Sequence, residues 1–214
     1  MKSPTDIIDE HAQPPLRRRL GRLLHDAHYA DFAVTRIRIA GIDLDDDEIA
    51  GLTRCRVLVA HLNADTLAEA ADAGMLRPEH RRNLRVLLRF VDSGRLQLRA
   101  AGVGAWVPDF SVFHGDADAL ILGAHYFGRT YPAVGPSFTC ITRETAAVRT
   151  AARRFEDLWH EGRDVLPAIR GTLELALVAA MPPSSTEAAT GGRSTVTAGA
   201  LSVRAGPPGA GDDA

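Results

Sequence analysis

Apolar residues recur at helical spacing from Leu16 to Ala30, where Leu16, Leu20, Leu23, Leu24 and Ala27 share one face behind Pro14 and Pro15. This pattern predicts a first helix. From Phe32 to Ala40 the period changes to two. Val34, Ile37 and Ile39 alternate with Arg36 and Arg38, which predicts a strand. The acidic run Asp45-Asp46-Asp47-Glu48 suits the positive end of a short helix, and Arg56 to Leu62 reads as a second strand. Asn63 or Asp65 can cap the helix after it. Another helix runs from Pro78 through Leu84, Leu87, Leu88 and Val91 to Ser93-Gly94.

Four short extended runs follow, separated by Gly or Pro: Leu96 to Ala101, Phe110 to His114, Ala119 to Gly123 and Ser137 to Thr142. Glu144 to Trp159 then places Val148, Ala151, Ala152, Phe155, Leu158 and Trp159 on one helical face. A last helix spans Val165 to Met181, with Pro167 tolerated in its first turn. From Pro182 the chain is Pro, Gly, Ser, Thr and Ala with almost no large apolar residue. Such a segment buries too little surface to offset the entropy of ordering it. The expected organisation is an N-terminal extension over 1–15, one domain over 16–181 and a disordered tail over 182–214. The order of helices and strands predicts the α/β class, a mixed β-sheet flanked by helices.

Composition changes this picture little. Hydrophobic content of 45% and charged content of 24% suit a globular domain that buries a core without staples. A formal net charge of -2 argues against wholesale attraction to nucleic acid or anionic lipid. Of the 25 Lys and Arg residues only Lys2 is Lys, a bias that matches the abundance of Ala and Gly. Cys55 and Cys140 lack any CxxC spacing, so they read as small buried hydrophobes. Neither a secretory h-region nor an uncharged apolar run long enough to span a bilayer is apparent, which makes a cytoplasmic location the expectation.

Several clusters invite chemistry and have plainer explanations. Arg17-Arg18-Arg19 with Arg22 reads as a solvated helix face. His25 and His28, with Asp31 beyond, have metal-ligand types but no well-spaced third ligand, so no metal is expected. The acidic residues Asp43 and Asp45 to Asp47 lack the Gly and distal Glu of a calcium loop, and helix capping suffices for them. No motif implies a cofactor.

The stretch from Leu96 onward is the most informative. A strand ends in a Gly-rich turn, and a hairpin then leads to an apolar strand ending at Gly123. A later strand feeds a helix ending Phe155-x-x-Leu158-Trp159. This layout resembles one half of a phospholipase D-like domain over roughly 16–165, with its specific part in 107–161. In that superfamily one strand carries H-x-K-x4-D, the next ends in a G-S-x-N turn, and a late helix carries a Phe/Trp signature. The resemblance implies a histidine nucleophile, a lysine that binds phosphate, and two such motifs meeting within one chain or across a homodimer. Here it places Asp109 at the His position, Ser111 at the Lys position and Asp116 at the Asp position, with Gly123-Ala124-His125-Tyr126 in the turn. Asp109 would repel a phosphodiester and Ser111 supplies no positive charge. Only Asp116 and Gly123 survive, and Asp116 also fits a turn residue. Conventional phosphodiesterase chemistry is therefore expected to be lost.

His114 and His125 are the candidates to replace it. Strand alternation puts His114 with Phe110 and Val112, opposite Asp109 and Ser111. His125 falls at the variable turn position, so a structural or surface role is the expectation for both. Trp106 and Tyr126 could line a pocket and stack on a base or ring, with Arg129 holding phosphate. Core packing is the plainer reading of these aromatics and the expectation for Trp106. The resulting reading is a non-catalytic phospholipase D-like half-domain acting as a binding, regulatory or scaffold module. A homodimer and, separately, a phosphate-containing or nucleic-acid ligand are the expected partners, with no membrane. Two alternatives stay open: a divergent nuclease or phospholipase using His114 or His125, and a nucleic-acid-associated module.

Overall fold

A computed structural model of the chain describes residues 5–9, 16–37, 46–60, 62, 80–102, 104–123 and 138–179. The elements run β1 (Thr5–Asp9), α1 (Leu16–Asp26), β2 (Ala27–Val34), α2 (Asp46–Ile49), β3 (Arg54–Val59) and α3 (His80–Asp92). After them come β4 (Leu96–Ala100), β5 (Phe110–Gly115), β6 (Ala119–Leu122), β7 (Phe138–Thr142), α4 (Thr145–Glu161), β8 (Arg163–Asp164) and α5 (Leu166–Ala179). The strands form one mixed sheet in the order β1-β7-β6-β5-β2-β3-β4-β8. Only β2, β3 and β4 are mutually parallel; every other pairing is antiparallel.

Two apolar layers explain why this sheet is stable. On one face Phe32, Val34, Val57, Val59 and Leu98 pack with leucines of α1, Phe90 and Leu87 of α3, and Ile169 and Leu173 of α5. On the other, Ala33, Leu58, Phe110, Val112 and Leu120 pack with Val148, Phe155, Leu158 and Trp159 of α4. Central strands covered on both sides lose the in–out alternation of a half-exposed strand. Ala30 through Val34 are accordingly all buried.

That loss of alternation accounts for the largest correction to the expected elements. The first helix stops at Asp26 instead of Ala30, and the strand expected over 32–40 occupies 27–34. Ala27 and Ala30 satisfy helical spacing as well as strand burial, so the period alone misplaced the boundary. The second strand likewise starts two residues earlier, at Arg54. The four runs from Leu96 to Thr142 and the last two helices lie where the pattern put them, within a residue or two at their ends. Residues 5–9, expected in an extension outside the domain, instead form the strand that pairs with β7 at one edge of the sheet. The expected caps Asn63 and Asp65, and the tail from 182 onward, lie outside the described residues. No helix among the described residues is long and apolar enough to cross a membrane.

Two glycines are fixed by this architecture. A Cβ at Gly115, the last residue of β5, would run into the Asp26 carbonyl at the α1–β2 junction. Gly123 has φ 130, which side-chain-bearing residues rarely adopt, and its N–H donates to the Asp109 carbonyl at 3.2 Å.

Candidate functional site

The side of β5 that carries the resemblance is built as follows. Asp109 precedes the strand and accepts from the Thr35 backbone N–H at 2.6 Å and from Thr35 Oγ1 at 2.8 Å. Each carboxylate oxygen is thus used to hold the end of β2. Ser111 stands between Phe32 and Ile121 in the registers of β2 and β6 and is fully buried. The β5–β6 hairpin brings Gly123 back beside Asp109. Asp116 sits at the far end of β5, on the order of 20 Å from Asp109 at the usual rise of a strand. The structure therefore joins Asp109 with Gly123 and separates both from Asp116.

His114 lies on the opposite face, as alternation requires, the face whose Phe110 and Val112 pack with the apolar residues of α4. Its Nε2 is 3.7 Å from Asp31 Oδ2 and its Nδ1 is 3.5 Å from Asp118 Oδ2. Asp31 is tied to β3 by a fork: Arg56 Nε donates to its Oδ1 at 2.7 Å and Nη2 to its Oδ2 at 2.8 Å. The same guanidinium donates to Glu156 of α4, from Nη1 at 3.1 Å and from Nη2 at 2.6 Å. It also lies 4.9 Å from the centre of the Phe155 ring and 5.4 Å from that of Trp159. One arginine therefore pins helix to sheet through charge, forked geometry and aromatic stacking together.

Burial and charge compete in this network. Burial alone would raise the Asp31 pKa, but His114 and Arg56 outweigh it and hold the carboxyl below its ordinary value. The Asp31 carboxylate raises His114 above the usual histidine value against the opposing effect of burial. Arg56 lowers Glu156, and Arg56 itself stays charged because its two carboxylates more than offset its desolvation. Burial pushes the Cys55 thiol far up, so it is an inert core residue. Cys140, expected to be buried, is partly exposed.

The other described candidates form no second site. Trp106 is 74% exposed, so it belongs neither to the core nor to a closed pocket wall. His125, Tyr126 and Arg129 lie outside the described residues. His25 Nδ1 lies 3.3 Å from the Asp47 carbonyl, and Asp31, weighed as a metal partner of His25 and His28, is spent on Arg56. Among the described residues no three His, Cys, Asp or Glu are grouped to hold a metal ion. Beside His114, a cleft of about 460 Å³ opens between the β5–β6 turn and the start of α4, lined by Asp116, Asp118, Arg143, Thr145 and Arg149.

Sequence reasoning missed Arg56 and Glu156, and it weighed Asp31 only beside His25 and His28, where no metal was expected. The signal was present: Asp31 stands alone in an apolar run and Arg56 sits between Cys55 and Val57, and a charge in such a place is expected only when paired.

No family model and no curated protein matches the chain. Solved structures do. The fold is similar to that of phospholipase D family structures. Nuc from Salmonella typhimurium, a phospholipase D family member, shares 11% identity at a TM-score of 0.47, covering 75% of this chain and 96% of that one. NucT from Helicobacter pylori shares 11% at 0.47, over 75% of this chain and 98% of that one. TrmBL2, an archaeal chromatin protein that binds DNA, shares 13% at 0.46, over 75% of this chain and 54% of that one. This chain thus spans about half the length of TrmBL2 and nearly all of Nuc and NucT. At these identities the likeness is one of fold.

Proposed function

We propose that this chain is a phospholipase D-like half-domain that binds a phosphate-bearing ligand without cleaving phosphodiesters at the usual motif. One observation carries the reading: both oxygens of Asp109, at the nucleophile position, are bound to Thr35. Ser111, at the lysine position, is sealed in the core and supports the same conclusion. A group held twice by the frame and a group without access to solvent serve the fold. His114 supplies no replacement, since it faces the other side of the sheet.

A cytoplasmic location and a homodimer formed through the surface that pairs the two motif halves in active relatives belong to the same proposal. Nucleic acid is the ligand class to try first among phosphate-bearing molecules. The test is one preparation of the full chain, assayed on bis(p-nitrophenyl) phosphate and on DNA with and without chelator. It is then titrated with DNA at low salt and weighed by sedimentation. No turnover with salt-dependent binding, a sign of phosphate contacts, is the expected result. Chelator-resistant cleavage that vanishes in His125→Ala overturns the reading in favour of a divergent phosphodiesterase. Absence of DNA binding removes nucleic acid from it, and a monomer removes the dimer.

A further inference from the structure

His114 is placed unlike the other described histidines. Both ring nitrogens face carboxylates, Asp31 on β2 and Asp118 in the turn between β5 and β6. A neutral imidazole carries one N–H and one lone pair, so it can serve one carboxylate while turning a lone pair toward the other. Only the imidazolium satisfies both.

The two carboxylates differ in how firmly they are held. Asp31 is anchored in the sheet by the two donors of Arg56, and Arg56 in turn by Glu156 of α4. Asp118 is exposed, and its remaining tie is Oδ1, which accepts from the Gly115 N–H at 3.3 Å. Arg143 Nη1 also fastens the turn, donating to the Ala117 carbonyl at 3.0 Å. Tyr29, the cross-strand neighbour of His114, is occupied by Arg54, whose guanidinium carbon lies 4.9 Å from the ring centre. His160 of α4 is turned to its own helix, with Nδ1 2.7 Å from the Glu156 carbonyl. Asp116 and Arg149 line the cleft beyond the turn.

We propose that His114 is a protonation-dependent latch: charged, it clasps the β5–β6 turn to the anchored Asp31, and neutral, it releases the turn that walls the adjacent cleft. The release moves one proton from the ring to solvent and breaks the Nδ1–Asp118 contact, while the Asp31–Arg56–Glu156 network stays intact. The sign follows from the raised pKa of His114. Its stabilising contribution is fully present below the unfolded value of about 6.5 and is lost as pH rises through the higher folded value. The latch is therefore closed in mild acid and opens toward alkaline pH. It stands whether or not the domain cleaves or binds phosphodiesters.

The test is an NMR titration of the full chain from about pH 5 to about pH 9, with the His114 signal identified by its loss in His114→Gln. The expected His114 midpoint lies above the ordinary histidine value. The amides of Gly115 to Asp118 shift with that same midpoint, and the exchange protection of the Gly115 amide falls across it. Asp118→Asn keeps the buried network and should lower the midpoint by about 0.2–0.7 of a pH unit while uncoupling the turn amides from it. Turn amides that stay flat while His114 titrates overturn the latch. So does a midpoint at or below the ordinary value, or an Asp118→Asn variant that leaves both responses unchanged.

Discussion

The two sides of β5 put similar residue types to opposite uses. On one side, Asp109 is hydrogen-bonded twice to one residue and Ser111 is packed between Phe32 and Ile121. On the other, Asp31, Arg56, Glu156 and His114 form a chain of charges joining three strands to α4 and reaching the edge of a cleft. The first arrangement closes a strand end; the second stores charge in a low-dielectric layer and exposes one end of it to protons. A familiar layout therefore does not fix where the ionisable chemistry of a sheet resides. Position in the frame places the residues, and their partners decide what remains for function.

Breaking the charged side should have the largest effect. Arg56→Ala leaves Asp31, whose side chain is only 4% exposed, without its forked partner in the core and with the longer His114 contact in its place. Removing one member of a buried pair costs roughly 3–5 kcal/mol, so a two-state urea titration of the variant should lose about that much. Replacing both partners together, Asp31→Leu with Arg56→Met, should cost far less because no orphan charge remains. A small loss for Arg56→Ala would mean that solvent reaches Asp31 freely and that the network does not tie α4 to the sheet.

Asp109 gives the matching cut on the other side. Asp109→Ala removes two hydrogen bonds to an ionised acceptor and leaves the Thr35 N–H without this partner. A loss of about 1.5–3 kcal/mol is expected by the same titration. Asp109→Asn, which keeps one carbonyl acceptor, should fall between Ala and the natural residue. An Asp109→Ala variant as stable as the parent would free this carboxylate for chemistry and narrow the contrast between the two sides.

Much of this contrast was legible in the sequence, for identifiable reasons. The alternation of Asp109, Ser111 and Phe113 against Phe110, Val112 and His114 follows from strand geometry and survives in the structure. What the pattern could not give was partnership across distance. Arg56 and Glu156 are 100 residues apart and meet only because α4 lies over β3. Thr35, which binds Asp109 from 74 residues away, carries no local sign of that role. The start of β2 was misplaced because a strand covered on both faces has no period to read. The edge strand over 5–9 was missed because an extended run beside Pro and polar residues looks like any tail until β7 pairs with it.

Trp106 separates these regions in the mildest way. The chain has two tryptophans. Trp159 stacks on Phe155 at 5.6 Å and lies beneath Arg99 at 4.8 Å, inside the layer that α4 makes with the sheet. Trp106 stands in solvent just ahead of Asp109. Trp106→Ala should therefore change stability by no more than about 0.5 kcal/mol, the range of surface substitutions without a packed partner. Its removal should strip away the red-shifted, acrylamide-quenchable part of the fluorescence and leave the protected emission of Trp159. A stability loss well above that limit, or emission that was never quenchable, would place Trp106 in a packed environment. The Asp109 side of β5 would then hold an aromatic wall, and a ligand stacked on that wall would become the next experiment.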